Sequence, residues 1–165
     1  MKKYEKEFKK AFGEEIYNQQ KILDKLQKEI DKIAETYLGI EPIPVVFGQN
    51  MKNDEAIYDG ELQAILLNPK NQEDYIQLLE SCLHELEHHY QIFYANHFDT
   101  PKAKRWKKEL DNYQLGNPMQ EIEIDAYAFA QVVLMKEYGI TYKHPDEAYQ
   151  TLIHYYIVSK RILEE

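Results

Sequence analysis

The chain has 165 residues, 44% hydrophobic and 30% charged, with a formal net charge of −9. That length carries one domain with a real core, and that composition is globular rather than disordered. The acidic balance argues against general nucleic-acid binding, which draws its affinity from basic surface, and the lack of any apolar run near the roughly 18 residues that span a bilayer argues against a membrane partner.

Residues 1–13 read as a charged arm, flexible or helical. The run "MKKYEKEFKK" has no apolar stretch behind its lysines, so it does not read as a signal peptide. Residues 14–38 predict an amphipathic helix. Ile22, Leu23, Leu26, Ile30, Ile33, Ala34 and Tyr37 recur at spacings of three and four, and Gly39 suits the position past the C-cap. Three short apolar runs follow, "PIPVVFGQ" (42–49), "EAIYDG" (55–60) and "QAILLN" (63–68), broken by Gly, Asn, Asp and Pro. They predict a small three-stranded antiparallel sheet, with Asp59-Gly60 in a tight hairpin turn that uses positive φ angles.

The helical period returns at Gln72. Asn71 is placed to cap and Asp74 to sit at the third helical position. Tyr75, Ile76, Leu78, Leu79, Cys82, Leu83 and Leu86 form an apolar stripe. Cys82 is the only cysteine, so no intramolecular disulfide can form and a reducing cytoplasm is the expected compartment. Residues 96–117 read as polar and irregular. Within them "KAKRWKK" (102–108) reads as a solvated helix face, with a basic dock for an acidic partner as the alternative. Asn117-Pro118 suits an N-cap followed by proline at the first helical position. The apolar helix "IEIDAYAFAQVVLM" comes next and Gly139 stops it. A last helix begins near Pro145 or Asp146 and runs to the C-terminus. No repeat or linker divides the chain. The expectation is a single α+β domain over residues 1–165.

The chemistry gathers in "CLHELEHHYQ" (82–91), where His84-Glu85-Leu86-Glu87-His88 fits H-E-x-x-H. On a helix, residues i and i+4 are stacked neighbours, so His84 and His88 can reach one metal ion. Glu85 is rotated by about 100° from His84. It is poorly placed as a further ligand and well placed to take a proton from water at the ion. Imidazole and carboxylate donors suit zinc. The bland alternative is a set of surface histidines beside surface glutamates. Two histidines hold zinc weakly, so a catalytic site needs another ligand. Glu123 qualifies: its neighbours at +3, +4, +7 and +11 are Ala126, Tyr127, Ala130 and Leu134, all uncharged. A carboxylate on that face is costly unless paired or metal-bound. Glu121, nearer the helix start, is the competing carboxylate, and Asp125 is a weaker one, shorter and off that face.

"HELEH" followed about 35 residues later by "EIDAYAFA" resembles the small zinc metallopeptidases of the gluzincin group. The nearest likeness is to the ImmA/IrrE-like type, whose second motif reads roughly E-x-x-A-Asn/Asp-x-F-A. Glu123, Ala126, Phe129 and Ala130 take those places. The likeness covers roughly residues 40–136 and implies a minimal zincin-like fold. It implies His84, His88 and Glu123 as zinc ligands, Glu85 as general base, and cleavage of an intracellular protein or peptide, a transcriptional repressor among the substrates. Tyr127 departs from the pattern: that type commonly has Asn or Asp there, supporting a ligand histidine. Asp125 is the obvious substitute.

His89 reads as a solvent-facing or supporting residue. Tyr127, His144 and His154 are candidates for stabilising an oxyanion. A substrate peptide is expected to add as a strand to the sheet, with 63–68 as the receiving edge. Beside the peptidase reading stands a binding or regulatory module that keeps the zincin fold without catalysis. An intact Glu85 favours the peptidase, because a structural site has no use for it.

Overall fold

A computed structural model of the chain describes residues 2–70 and 74–159, with six α-helices and three strands among them. Two compact units divide at Leu79/Glu80, inside a helix.

In the first unit the charged arm is helical, as α1 (Lys2–Phe12). Gly13, at a φ of 90°, separates it from α2 (Glu14–Ile33), which widens into a π-helical turn over Ala34–Leu38. Gly39 ends that turn at a φ of 62°, a conformation glycine adopts without steric cost. Leu26, Ile30, Ile33 and Ala34 are fully buried. Withdrawing each Leu or Ile from water contributes about 1.5–3 kcal/mol.

The strands are β1 (Val45–Phe47), β2 (Ala56–Asp59) and β3 (Ala64–Leu67), in the order β1-β3-β2. β3 pairs parallel with β1, Val45 opposite Ile65, and antiparallel with β2, Ala56 opposite Leu67. The sheet is therefore mixed rather than antiparallel, and 63–68 is central rather than an edge. The expected addition of a peptide to that strand is ruled out, since both its flanks are already paired. The reason is in the residues. Ala64, Ile65 and Leu67 are all buried, a continuous apolar run that fits a strand covered on both faces. Gln27 of α2 holds the outer side of β1, its Nε2 donating to Ile43 O at 2.9 Å and its Oε1 accepting from Val45 N at 2.7 Å. In the β2–β3 turn Asp59 Oδ1 accepts from the backbone N–H of Glu61 and Leu62 at 3.0 and 2.9 Å, and the positive φ falls on Gln63 rather than on Gly60. The Asp-Gly pair turns the chain through the aspartate side chain, not through a two-residue loop.

Helix α3 (Tyr75–His97) begins at Asp74, whose Oδ1 accepts from Ile76 N at 3.0 Å and Gln77 N at 3.3 Å. Asp74 is thus the cap and not the third helical residue; Asn71, expected to cap, lies outside the described residues. Leu78, Leu79, Cys82, Leu83 and Leu86 are buried, as the stripe requires.

In the second unit, part of the stretch expected to be irregular is α4 (Pro101–Asp111). Thr100 caps it, accepting from Ala103 N at 3.0 Å, and Pro101 takes the first turn, where its missing N–H costs nothing. Its basic run is solvated on one side only: Lys102, Ala103 and Trp106 are buried, and Trp106 packs with Tyr94, Ala95 and Ile122. Helix α5 (Glu121–Tyr138) starts later than Asn117-Pro118 suggests. Asn117 spends its Oδ1 on Met119 N in a turn, and the helix is capped from α4 instead. Glu109 accepts from Glu121 N and Ile122 N, both at 2.9 Å. Gly139, at a φ of 65°, stops α5 as expected. Asp146 caps α6 (Glu147–Val158) by accepting from Tyr149 N at 2.9 Å, and α6 packs on α5 through Ala128, Tyr149, Ile153 and Tyr156. The expected continuation of α6 over 160–165 lies outside the described residues. Among the described residues no helix is long and apolar enough to cross a membrane.

Candidate metal centre

One helical turn apart on α3, His84 and His88 bring their Nε2 atoms to 3.1 Å from each other. His84, Glu85 and His88 form a cluster close enough to hold a metal ion, with one ligand atom from each lying within 4.8 Å of the others. Glu123 enters from the first turn of α5. Its Oε2 is 3.3 Å from His84 Nε2 and its Oε1 is 3.3 Å from His88 Nε2. An ion bound tetrahedrally at about 2.0–2.1 Å separates its donors by about 3.3 Å, so these spacings fit a shared cation.

The electrostatics show His88 and Glu123 acting on each other. Burial by itself lowers the His88 pKa, but its hydrogen bond to Glu123 and the charges of Glu85 and Glu123 outweigh burial and lift it to about 9. Burial by itself raises the Glu123 pKa, but hydrogen bonds from His84 and His88 and the His88 charge hold it well below the usual carboxylate range. The pair shift in opposite directions for one reason: each stabilises the charged form of the other.

Glu121 is elsewhere, paired with Arg105. Asp125 is 1% exposed and does not face the two imidazoles; it takes hydrogen bonds from Gln91 Nε2 at 2.8 Å and Tyr156 OH at 3.0 Å. Glu87, at the free position of the motif, is 2% exposed. Burial, then the adjacent Asp125 carboxyl, push its pKa well up, and burial likewise raises Asp125, to about 6 against its hydrogen bonds. Two carboxyls so close and so dry do not both ionise, and Glu87 keeps its proton. Lys102, its pKa lowered by burial, lies over the rings of Tyr94 and Trp106 at 4.9 and 5.1 Å.

Tyr127 packs its ring on His84, centroids 4.2 Å apart, an aromatic wall beside this histidine. His84 Nδ1 is buried and has no hydrogen-bond partner among the described residues. His144 stacks edge-on to Tyr127 at 5.0 Å, and its Nδ1 accepts from Asp146 N. His89 is half-buried, and burial lowers its pKa. His154 is an exposed residue of α6.

Two residues of the site escape the sequence reading. Tyr113, in the α4–α5 connection and 44% exposed, donates its hydroxyl to Glu123 Oε1 at 3.0 Å. Burial, then Glu123, raise its pKa to about 12, so it stays a donor. Nothing local marks it out among fourteen tyrosines. Gln91, fully buried, meets His88 Nδ1 at 2.9 Å. It did carry a signal: 84, 88 and 91 are spaced i, i+4, i+7, one polar face along a helix.

Comparisons with protein-family models, with curated proteins and with solved structures find no match.

Proposed function

We propose that the chain is a zinc-dependent peptidase that hydrolyses a peptide bond of an intracellular protein, with His84, His88 and Glu123 as metal ligands and Glu85 as general base. The observation that carries this reading is the triangle of His84 Nε2, His88 Nε2 and the Glu123 carboxylate, with edges of 3.1–3.3 Å and Glu85 beside it. The resemblance of His84–His88 and Glu123–Ala130 to the ImmA/IrrE-like metallopeptidases supports it. So does the donor chemistry, since two imidazoles and one carboxylate leave an open position on a four-coordinate ion.

Zinc held there supplies a Lewis acid and brings the pKa of water down to about 7. Glu85 accepts the proton of the attacking water and passes it to the nitrogen of the leaving amine as the carbon–nitrogen bond breaks. Tyr113 is the protonated donor next to the ligand set, available to the carbonyl oxygen as negative charge develops on it. Glu121 takes no part, being engaged with Arg105.

The test is Glu85→Gln. The amide keeps the shape and cannot take a proton, so hydrolysis should fall by about 10²–10⁴-fold while zinc content stays the same. Both proteins are incubated with a lysate of the host and the new N-termini compared. Cleavages made only by the wild type support the peptidase and name its target. Identical patterns from two zinc-loaded proteins favour the non-catalytic binding module.

A further inference from the structure

Gln91 sits behind the ligand set with its whole side chain out of water, 0% exposed. Its Nε2 lies 2.8 Å from the carbonyl oxygen of Ile122 and 2.8 Å from Asp125 Oδ2. The Ile122 oxygen is a backbone carbonyl that can only accept, so the Gln91 Nε2 must face it and the amide cannot be turned over. The opposite end, Oε1, must then face His88 Nδ1, 2.9 Å away. A carbonyl-type oxygen can only accept, so Nδ1 must carry a hydrogen. That leaves Nε2 of His88 as the atom with its lone pair for an ion.

The chain continues outward. Asp125, which accepts from Gln91, also accepts from Tyr156 OH at 3.0 Å; Tyr156 itself is buried on α6. Three helices, α3, α5 and α6, thereby meet in one directed series: Tyr156 to Asp125, Asp125 holding Gln91, Gln91 holding His88. We infer that Gln91 is the positioning residue of the metal centre, fixing His88 as the Nδ1–H tautomer with its ring aimed at the ion, and that Asp125 and Tyr156 set the direction of the Gln91 amide. The inference deepens the metal-site reading and rests on it, save for the contact of His88 Nδ1 with Gln91 Oε1, which the geometry gives without an ion.

His84 makes the contrast clear. Its Nδ1 has no hydrogen-bond partner among the described residues, and its ring packs against Tyr127. The two ligand histidines are thus oriented by different means, one by a polar series and one by an aromatic wall. Losing an outer partner of a ligand histidine generally weakens metal affinity by about 10–100-fold. For this centre the whole of that sensitivity should reside on the His88 side.

The experiment is nitrogen-15 NMR of the histidine rings with zinc titration, on wild type, Gln91→Leu and Tyr156→Phe. In zinc-loaded wild type, His88 should bear its metal on Nε2 and a slowly exchanging hydrogen on Nδ1. Gln91→Leu should lose that protected signal and bind zinc about 10–100-fold more weakly. Tyr156→Phe, which removes one hydroxyl at the far end, should fold normally and shift the Nδ1–H resonance with a smaller loss of affinity. The wild-type spectrum needs no variant, so the inference stays exposed even if Gln91→Leu fails to fold. Metal on Nδ1 of His88, or a rapidly exchanging Nδ1–H in zinc-loaded wild type, overturns the inference and leaves the metal reading standing. A protected Nδ1–H in a protein that takes up no zinc upholds the Gln91 contact and overturns the metal reading.

Discussion

Arg105 grips Glu121 with two guanidinium nitrogens, Nε 3.1 Å and Nη2 3.2 Å from the two carboxylate oxygens. Two residues along α5, Glu123 faces the imidazoles of His84 and His88 instead. Positions 121 and 123 lie about 200° apart around a helix, so one helix cannot offer both carboxylates to one ion. The sequence left these two acids in competition, and the Arg105 fork divides them.

Side-by-side metal analysis of Glu121→Ala and Glu123→Ala follows from this. Glu121→Ala removes a pair whose arginine is 49% exposed, so it should keep about one equivalent of zinc and lose no more than about 1 kcal/mol of stability. Glu123→Ala should purify with little or none. Full zinc in Glu123→Ala would remove Glu123 from the ligand set.

Much of the second unit was legible because its signals are local. The three-residue gap between two histidines, the alanine face around Glu123 and the glycine at 139 each act within a turn or two. What was not legible depended on partners far away in sequence. Glu109 caps α5 from across 12 and 13 residues, and the pairing partner of β3 on its parallel side is 20 residues back. Tyr113 reaches Glu123 only because the α4–α5 connection folds on itself: Gln120 Nε2 donates to the carbonyl oxygens of Gln114 and Asn117, and its Oε1 accepts from Gln114 N. The strand 64–67 did carry a hint, since a run with no polar alternation suits a central position better than an edge.

The Glu109 cap should be measurable as stability. Both its oxygens satisfy N–H groups that α5 cannot satisfy for itself, and the charge faces the positive end of the helix dipole. Glu109→Ala should cost about 1–3 kcal/mol in urea unfolding. Glu109→Gln keeps one acceptor and should lose less. Equal midpoints for wild type and Glu109→Ala would mean that water caps α5 as well as Glu109 does.

Zinc should stabilise the folded chain by mass action. At free zinc about 100 times its dissociation constant the gain is about 2.7 kcal/mol, which for a chain of this size raises Tm by about 5–10 °C. Differential scanning fluorimetry with chelator, with zinc, and with magnesium as a control checks this. Magnesium prefers oxygen donors and should give no comparable shift. A Tm indifferent to zinc would argue that the His84–Glu123 spacing binds nothing.

Tyr113→Phe separates two roles that one hydrogen bond could serve. If the hydroxyl only braces Glu123, removing it loosens the ligand, and zinc affinity should fall with whatever activity there is. If it serves the reacting carbonyl, zinc affinity should hold and turnover alone should drop. The second outcome is expected. The residue is 44% exposed, so water can replace its hydrogen bond to Glu123 at little cost, and Glu123 retains both histidine contacts. A donor to a developing oxyanion is worth more, and its loss should lower kcat by about 10²–10³-fold with the substrate found in the lysate comparison. Zinc titration and cleavage rates on the same preparation decide it. Unchanged kcat with zinc retained would pass the role to the ring that packs on His84, and Tyr127→Phe would be the next variant to make.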